Sequence, residues 1–310
     1  MPRHVFGPVP SRRLGRSLGI DLTPAKTCSY DCRYCQLAAT TVLTCERHSF
    51  FPLAEVDAEL REVLATIPSP DAFTFSGSGE PTLSADLGAA IALVRRHAPS
   101  GLVAVITNGS LLDRPDVRRE IIDADRIMPT CSTVHDETFH RLHRPAPGIA
   151  LALILDGLRA LSQEYRGVLE VEVMLVAGMN DSESELADLA GYLRSLSHLS
   201  SIFINVPVRP PIDGACHPAA TEAVARAEQV LGAIAPLVIS RPPTQPAPTR
   251  EPPSERAVLA LLARHPCDTA QVLAALGGTP DQVSDLLQRM ATAGKVHHRR
   301  DGEREFWLTN

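Results

Sequence analysis

The chain has 310 residues, 44% of them hydrophobic, and a formal net charge of −6 at pH 7. This length and apolar content predict one large domain, alone or with a small one. The net negative charge argues against a protein that binds nucleic acid or a membrane surface through its whole length. No apolar run approaches the roughly 18 residues of a membrane span. The first residues contain no apolar signal region, so we expect a cytoplasmic protein.

Short apolar runs alternate with amphipathic segments over the first 239 residues. Six runs have the composition of buried strands, at 18–22, 72–76, 102–107, 126–130, 168–176 and 201–208. Six segments have helical spacing, at 53–67, 84–97, 114–122, 149–162, 181–196 and 219–234. Such alternation predicts a parallel sheet covered by helices. Six repeats are too few for a closed eight-stranded barrel, so we expect a doubly wound sheet or an open partial barrel, with ligands at the carboxyl ends of the strands.

The composition changes near residue 240. Residues 240–254 are rich in proline and polar residues, which predicts an extended linker. Three short helices are predicted beyond it, at 255–264, 268–276 and 280–293. Two strands joined at Asp301–Gly302 follow, because an Asp-Gly pair favours a hairpin turn. Three helices and a hairpin are typical of a winged helix, so we predict a barrel domain (1–239), a linker (240–254) and a winged-helix-like α+β domain (255–310).

Three cysteines, Cys28, Cys32 and Cys35, follow the first predicted strand within eight residues of one another. In a reducing compartment such a group indicates metal ligands rather than disulfides. A structural zinc ion requires four ligands, so zinc would have to recruit Cys45 or His48. A [4Fe–4S] cluster bound by three cysteines keeps one iron open for a substrate or a cofactor. We favour the cluster, with zinc as the alternative.

The spacing Cys-x3-Cys-x2-Cys, with Tyr34 before the last cysteine, resembles the motif of the radical S-adenosylmethionine (SAM) superfamily. A second segment, "FSGSGEPTL", resembles the Gly-Gly-Glu-Pro region of that superfamily. Its matching residues are Gly77, Ser78, Gly79, Glu80 and Pro81. The resemblance implies a (βα)6 partial TIM barrel, a [4Fe–4S] cluster on the three cysteines and SAM on the open iron. Glycines suit this role because the backbone can then approach the ligand closely.

The same resemblance implies the chemistry and further contacts. A reductant such as flavodoxin or ferredoxin would supply an electron, SAM would be cleaved to methionine and a 5′-deoxyadenosyl radical, and the radical would take a hydrogen atom from the substrate. Polar and glycine residues after later strands would contact SAM. Together with Tyr34 and the glycine segment, these are Asn108, Ser132 and Gly178.

Several segments within residues 5–235, among them "FGPVPSRRLGRSLGIDL" and "VEVMLVAGMNDSESEL", resemble a group related to the tRNA wyosine synthases. The group has a single cluster and often a C-terminal winged helix. Wyosine synthesis itself is not expected here. The chain has no cysteine before Cys28 for a second cluster, and its only lysines, Lys26 and Lys295, are not on a late strand.

Other residues are candidates from their position alone. Arg12, Arg13 and Arg209 could bind phosphate or carboxylate groups of a substrate, because a guanidinium binds two oxygens at once; structural ion pairs are the alternative. Cys131 is a candidate catalytic thiol that donates a hydrogen atom. With Cys45 and Cys216 it could also bind a second cluster, although buried cysteine is often only an apolar residue. His143 and Arg144 lie after the fourth strand and could approach the site.

The C-terminal residues narrow the choice of substrate. Residues 250–310 contain eight basic and eight acidic residues, and the third predicted helix carries Asp281 and Asp285 against Arg289. Duplex DNA is therefore an unsuitable partner. We expect a radical SAM enzyme that acts on tRNA or on a protein or peptide docked by the C-terminal domain. The alternatives are an enzyme for a small metabolite and an iron–sulfur winged-helix regulator without catalysis.

Overall fold

The computed structural model describes residues 4–11, 13–37, 39–209, 214, 216–238, 253–301 and 304–309. Three predictions fall outside this part of the chain: the role of Arg12, most of the linker 240–254, and Gly302 in the hairpin turn. The division into the three predicted parts therefore stays a prediction.

The strands and helices follow the predicted alternation. The strands are β1 (Val5–Ser11), β2 (Gly15–Ile20), β3 (Thr27–Cys28), β4 (Val42–Leu43), β5 (Ala72–Phe75), β6 (Leu102–Thr107), β7 (Arg126–Pro129), β8 (Val168–Met174), β9 (Ser201–Asn205), β10 (Val296–Asp301) and β11 (Arg304–Thr309). The helices are α1 (Leu53–Leu64), α2 (Leu87–His97), α3 (Pro115–Ile121), α4 (Asp136–His143), α5 (Leu151–Glu164), α6 (Glu183–Arg194), α7 (Thr221–Gly232), α8 (Glu255–Leu262), α9 (Thr269–Leu276) and α10 (Pro280–Thr292).

Seven strands form the main sheet, in the order β1-β2-β5-β6-β7-β8-β9. The six strands from β2 to β9 are parallel, as predicted. Strand β1 was not predicted, and it pairs antiparallel with β2 at the edge of the sheet. The resulting α/β architecture, a mostly parallel sheet with helices, confirms the predicted partial barrel.

The two faces of the sheet have different surroundings. Alternate strand residues such as Leu18, Phe73 and Val105 pack against helical residues in the largest hydrophobic core. Residues of the opposite face, including Ala72 and Ala104, form a separate cluster that contains no helical residue. This second face is the concave interior of the barrel.

The C-terminal residues form a small unit with its own core. Helices α8, α9 and α10 surround buried side chains such as Val258, Val272 and Leu287, and β10 pairs antiparallel with β11. This unit packs on the outer side of β1, where Val9 joins its core. The ring of Phe6 on β1 lies 4.7 Å from the guanidinium carbon of Arg264. The small C-terminal domain with strands is thus present, and its classification as a winged helix stays a prediction.

Within the described residues, no helix combines the length and the apolar character that crossing a membrane requires.

Candidate cofactor site

The three clustered cysteines lie on the loop that follows β2. Cys28 is on β3, and its carbonyl oxygen accepts a hydrogen bond from the Thr44 amide at 3.0 Å. The Cys35 amide donates to the Cys32 carbonyl at 3.0 Å, which closes a turn. Burial and, after it, the nearby Glu80 carboxylate raise the pKa of the Cys28 thiol to about 12. Such thiols become thiolates only beside a cationic ligand, and a bound metal centre supplies that charge.

The three cysteine side chains lie close to one another, as the ligands of a [4Fe–4S] cluster do. Among the described residues, no three His, Cys, Asp or Glu side chains converge on a point that would suit one metal ion. Burial raises the pKa of Cys32, and the neighbouring Cys28 and Cys35 raise it further, so the three side chains lie close together. A [4Fe–4S] cluster attaches each cysteine to a different iron, so its ligands surround a volume instead of meeting at one point.

The zinc alternative has no support in this part of the chain. Cys45 packs with Leu83 and Leu111 in a separate hydrophobic cluster, and His48 lies 3.5 Å from Glu46 on the surface. Neither side chain joins the three cysteines.

The glycine segment after β5 pairs directly with the strand that carries Cys28. The Lys26 amide donates to the Ser78 carbonyl at 2.8 Å, and the Glu80 amide donates to the Thr27 carbonyl at 3.1 Å. A Cβ atom on Gly79 would lie 2.2 Å from the Thr27 carbonyl oxygen, so this close pairing requires glycine. The two motifs that are 40 to 50 residues apart in the sequence therefore form one surface.

Glu80 anchors this segment and does not face solvent. Its Oε1 atom accepts from Thr107 Oγ1 at 2.6 Å and from Thr82 Oγ1 at 2.7 Å. Its Oε2 atom accepts from the Asn108 amide at 2.8 Å. Burial raises the pKa of Glu80, and these hydrogen bonds oppose that rise. The carboxylate thus joins the carboxyl ends of β5 and β6.

Asn108 connects Glu80 to the cysteine loop. Its Nδ2 atom donates to Ser29 Oγ at 2.8 Å and lies 3.6 Å from Cys28 Sγ. The structure therefore brings together Cys28, Asn108 and Glu80 at the carboxyl ends of the strands, where ligands of parallel α/β folds bind.

His143, at the end of α4, lies inside this site. Its Nδ1 atom is 3.3 Å from Cys32 Sγ and 3.3 Å from the hydroxyl of Tyr34. Its ring contacts Tyr30 and Phe139, with centroids 5.2 and 5.4 Å away. Burial lowers the pKa of His143 to about 3, so the ring is neutral and can donate one hydrogen bond. The sequence indicated this residue only as a candidate, because helix α4 itself was not predicted.

Two other residues predicted to contact SAM lie after β7 and β8. Ser132 Oγ accepts from the Met174 amide at 3.0 Å, and the Ser132 carbonyl accepts from Asn180 Nδ2 at 2.7 Å. Gly178 has a φ of +66°, and its carbonyl accepts from Arg141 at 3.0 Å. These contacts connect β7 with the loop after β8, and the roles of Ser132, Gly178 and Tyr34 toward SAM stay predictions.

Cys131 is buried and lies near Tyr30 of the cysteine loop, and its role as a catalytic thiol stays a prediction. Its side chain belongs to the core between the sheet and the helices, near Tyr192 of α6. Burial raises its pKa to about 12. Cys45, Cys131 and Cys216 lie in three different hydrophobic clusters, so within the described residues they do not form a second cluster site.

The two described arginines that were expected to bind substrate have protein partners. Arg13 lies at the amino-terminal end of β2, opposite to the cysteine loop, and binds Glu170 at 3.1 Å and Glu172 at 2.8 Å. These contacts agree with the structural ion pair that was the alternative for Arg13, and its role toward a substrate stays a prediction. Arg209 donates to the Oε1 atom of Gln36, next to Cys35, at 3.0 Å, and burial lowers its pKa.

A partial barrel with three cysteines on the first loop at the carboxyl ends of its strands is the architecture of an iron–sulfur protein. The chain belongs to the radical SAM superfamily: residues 22–190 match the family profile described as "Radical SAM superfamily". Proteins of this superfamily bind a [4Fe–4S] cluster and S-adenosylmethionine, and the residues described above fit both.

The chain is also similar to individual proteins. The UPF0026 protein MJ1312 of Methanocaldococcus jannaschii is 34% identical over 71% of this chain and 68% of its own length. GTPase Obg of Brachyspira hyodysenteriae is 30% identical over 95% of this chain, which spans only 43% of that protein. The solved structure of TYW1 with a lysine-pyruvate adduct bound has a TM-score of 0.52 at 16% identity, over 74% of this chain and 76% of its own. This last likeness shows the fold.

Proposed function

We propose that the protein is a radical SAM enzyme that generates a 5′-deoxyadenosyl radical to remove a hydrogen atom from its substrate. The observation that carries this proposal is the pairing of the Cys28 strand with the segment Gly77–Pro81, joined by Asn108. When bound, the reduced cluster would supply the electron that cleaves SAM into methionine and the radical.

Each group of residues at the site has a separate role in this proposal. Cys28, Cys32 and Cys35 hold the cluster and leave one iron open. Gly79 lets the segment approach the cysteine strand, and Glu80 fixes the segment against β6. In the tautomer with the proton on Nδ1, His143 donates to Cys32 and stabilises the thiolate form of that ligand.

We propose further that the substrate is a macromolecule, either tRNA or a protein or peptide. The C-terminal unit supports this proposal because it lies beside the cofactor site and exposes basic side chains on β10, among them His298, Arg299 and Arg300. Helix α10 carries Asp281 and Asp285, which disfavours duplex DNA. The relation to the tRNA wyosine synthases is part of this proposal.

The first experiment measures the chemistry. The protein is reconstituted anaerobically with iron and sulfide and reduced with dithionite, SAM is added, and 5′-deoxyadenosine is measured by chromatography. We expect product from the wild type, and loss of both cluster and product in Cys32→Ala. The matched control is Cys45→Ala, which should keep both because Cys45 lies outside the site. Absence of product in wild-type protein with a full cluster and bound SAM would instead support an iron–sulfur regulator.

The second experiment tests the size of the substrate. A cell extract is separated by dialysis into a retained and a diffusible fraction, and each is added to the assay with a reduced reductant such as flavodoxin. A macromolecular substrate should stimulate 5′-deoxyadenosine formation only in the retained fraction, and nuclease or protease treatment should then identify its class. Stimulation by the diffusible fraction alone would contradict the proposal and favour a small metabolite.

A further inference from the structure

Two adjacent residues of the C-terminal unit, Arg264 and His265, reach across to the cofactor site. They follow the end of α8. Arg264 contacts the glycine segment through Asp21, and His265 contacts the cysteine loop through Gln36. The C-terminal unit thus touches both loops to which the proposed function assigns SAM and the cluster.

The contact of Arg264 is a buried ion pair. Its Nε atom lies 3.0 Å from Oδ2 of Asp21, and the exposed fractions are 8% for Arg264 and 3% for Asp21. The guanidinium also stacks on Phe6 at 4.7 Å. A carboxylate this deeply buried requires a countercharge, because removal of one partner of such a pair leaves an uncompensated charge.

The same oxygen of Asp21 holds the glycine segment. Oδ2 accepts from the Ser78 amide at 3.0 Å and from Ser78 Oγ at 2.7 Å. The segment also approaches Asp21 so closely that a Cβ atom on Gly77 would lie 2.2 Å from its Cγ atom. Arg264, Asp21 and Ser78 therefore form a chain of contacts that passes from the C-terminal unit into the segment.

The second contact is to the residue that follows Cys35. The Nε2 atom of Gln36 lies 3.4 Å from Nδ1 of His265, and the Oε1 atom of Gln36 accepts from Arg209 at 3.0 Å. Burial lowers the pKa of His265 to about 3, so its neutral ring can accept the amide hydrogen of Gln36. The position of the cysteine loop is thus also tied to the docked C-terminal unit.

We infer that Arg264 is a positioning residue for SAM: by balancing the charge of Asp21 it holds the glycine segment in the conformation that binds SAM, so that SAM affinity depends on the docked C-terminal unit. This inference rests on the proposed function. Without Arg264 the Asp21 carboxylate is an unpaired buried charge. It then turns toward water, and the two hydrogen bonds to Ser78 weaken. A macromolecule that binds the C-terminal unit can thereby influence the SAM site.

The test uses the full-length protein with its cluster reconstituted. Arg264→Met keeps most of the side-chain volume and removes the charge, and Arg264→Lys keeps the charge without the guanidinium geometry. The control is Arg256→Met, an exposed position on α8, the helix that precedes Arg264. Three quantities are measured for each: iron content, the dissociation constant of SAM, and the change in the electron paramagnetic resonance spectrum of the reduced cluster when SAM is added.

We expect Arg264→Met to bind SAM at least about tenfold more weakly than the wild type. The hydrogen bond from Arg264 to the Asp21 carboxylate is lost, and this loss weakens the hold of Asp21 on the glycine segment. Its iron content should equal that of the wild type. Arg264→Lys should recover part of the affinity, and Arg256→Met should match the wild type. Asp21→Asn combined with Arg264→Met should cost no more than Arg264→Met alone, because both act through one contact.

Wild-type affinity for SAM in Arg264→Met would overturn the inference. A loss of iron in parallel with the loss of SAM affinity would also overturn it, because Arg264 would then have a merely structural role. If Arg264→Met does not fold, Arg264→Lys decides: weaker SAM binding at normal iron content supports the inference, and wild-type binding overturns it. Failure of the proposed function appears differently, because the wild type itself would then fail to bind SAM or to form 5′-deoxyadenosine.

Discussion

Arg13→Met tests whether a buried ion pair stabilises the end of the barrel opposite to the cysteine loop. The guanidinium of Arg13 binds Glu170 at 3.1 Å and Glu172 at 2.8 Å, and it stacks on Phe203 at 4.4 Å. The side chains of Arg13 and Glu170 are only 11% and 1% exposed. Methionine retains the aliphatic part of the side chain and removes the charge, so both carboxylates lose their contact with Arg13.

The magnitude follows from the burial of these carboxylates. Removing one partner of a buried pair costs about 3–5 kcal/mol. Arg126 lies 3.8 Å from Glu170 and keeps part of the charge balance, so we expect the lower end, about 3 kcal/mol. Replacing Glu170 by Gln in the same chain should recover part of this loss, because one uncompensated charge is then removed.

The assay is urea unfolding of the cluster-free protein, followed by circular dichroism because the single tryptophan, Trp307, reports only on the C-terminal hairpin. The control is Arg61→Met, whose ion pair with Asp57 is on the surface, with the arginine 62% exposed; it should cost about 0–1 kcal/mol. A loss for Arg13→Met no larger than this control would refute the reasoning and favour the role of Arg13 toward a substrate.

Four further variants test other parts of the structure. Gly79→Ala should destabilise the protein by about 1–3 kcal/mol and reduce its iron content, because the new Cβ atom clashes with the Thr27 carbonyl. The matched control is Gly191→Ala in α6, where a new Cβ atom has no neighbour within 4 Å. This control should stabilise the protein by about 0.5–1 kcal/mol. His143→Phe should make the cluster potential more negative in a redox titration, because a hydrogen bond to a ligand sulfur is lost; an unchanged potential would contradict this role. For His135, two carboxylates of α6 raise the pKa above 6.5. The charged His135 therefore stabilises the fold fully below pH 6.5, and this stabilisation is lost as the pH rises through the raised pKa. The difference in urea unfolding midpoint between the wild type and His135→Gln should accordingly disappear at high pH.

The sequence was informative where local composition decides structure. The six parallel strands are buried on both faces and are therefore apolar runs that can be recognised directly. Strand β1 was missed because "VFGPVPS" contains two prolines and a glycine, which only an edge strand tolerates. Helix α4 was missed because its eight residues, "DETFHRLH", are too few and too polar to show a clear period.

The site could be predicted only as far as its motifs are local. The cysteines and the glycine segment are short motifs whose spacing is visible in the chain. The partner of Arg13 is 157 residues away, and the contact of His143 with Cys32 spans 111 residues. The face on which Cys131 lies depends on how β7 continues beyond Pro129. Such facts depend on tertiary packing, which no local pattern encodes.

The ion pair between Asp21 and Arg264 also has a consequence for the order of folding, because it joins residues 243 positions apart. During synthesis the glycine segment emerges from the ribosome long before Arg264. The barrel can therefore form its local strand pairs while Asp21 still lacks a countercharge. Contacts of such long sequence separation form late, and larger chains fold domain by domain as they emerge. If Arg264 positions the glycine segment as inferred above, the SAM site is complete only once the C-terminal helices have emerged from the ribosome.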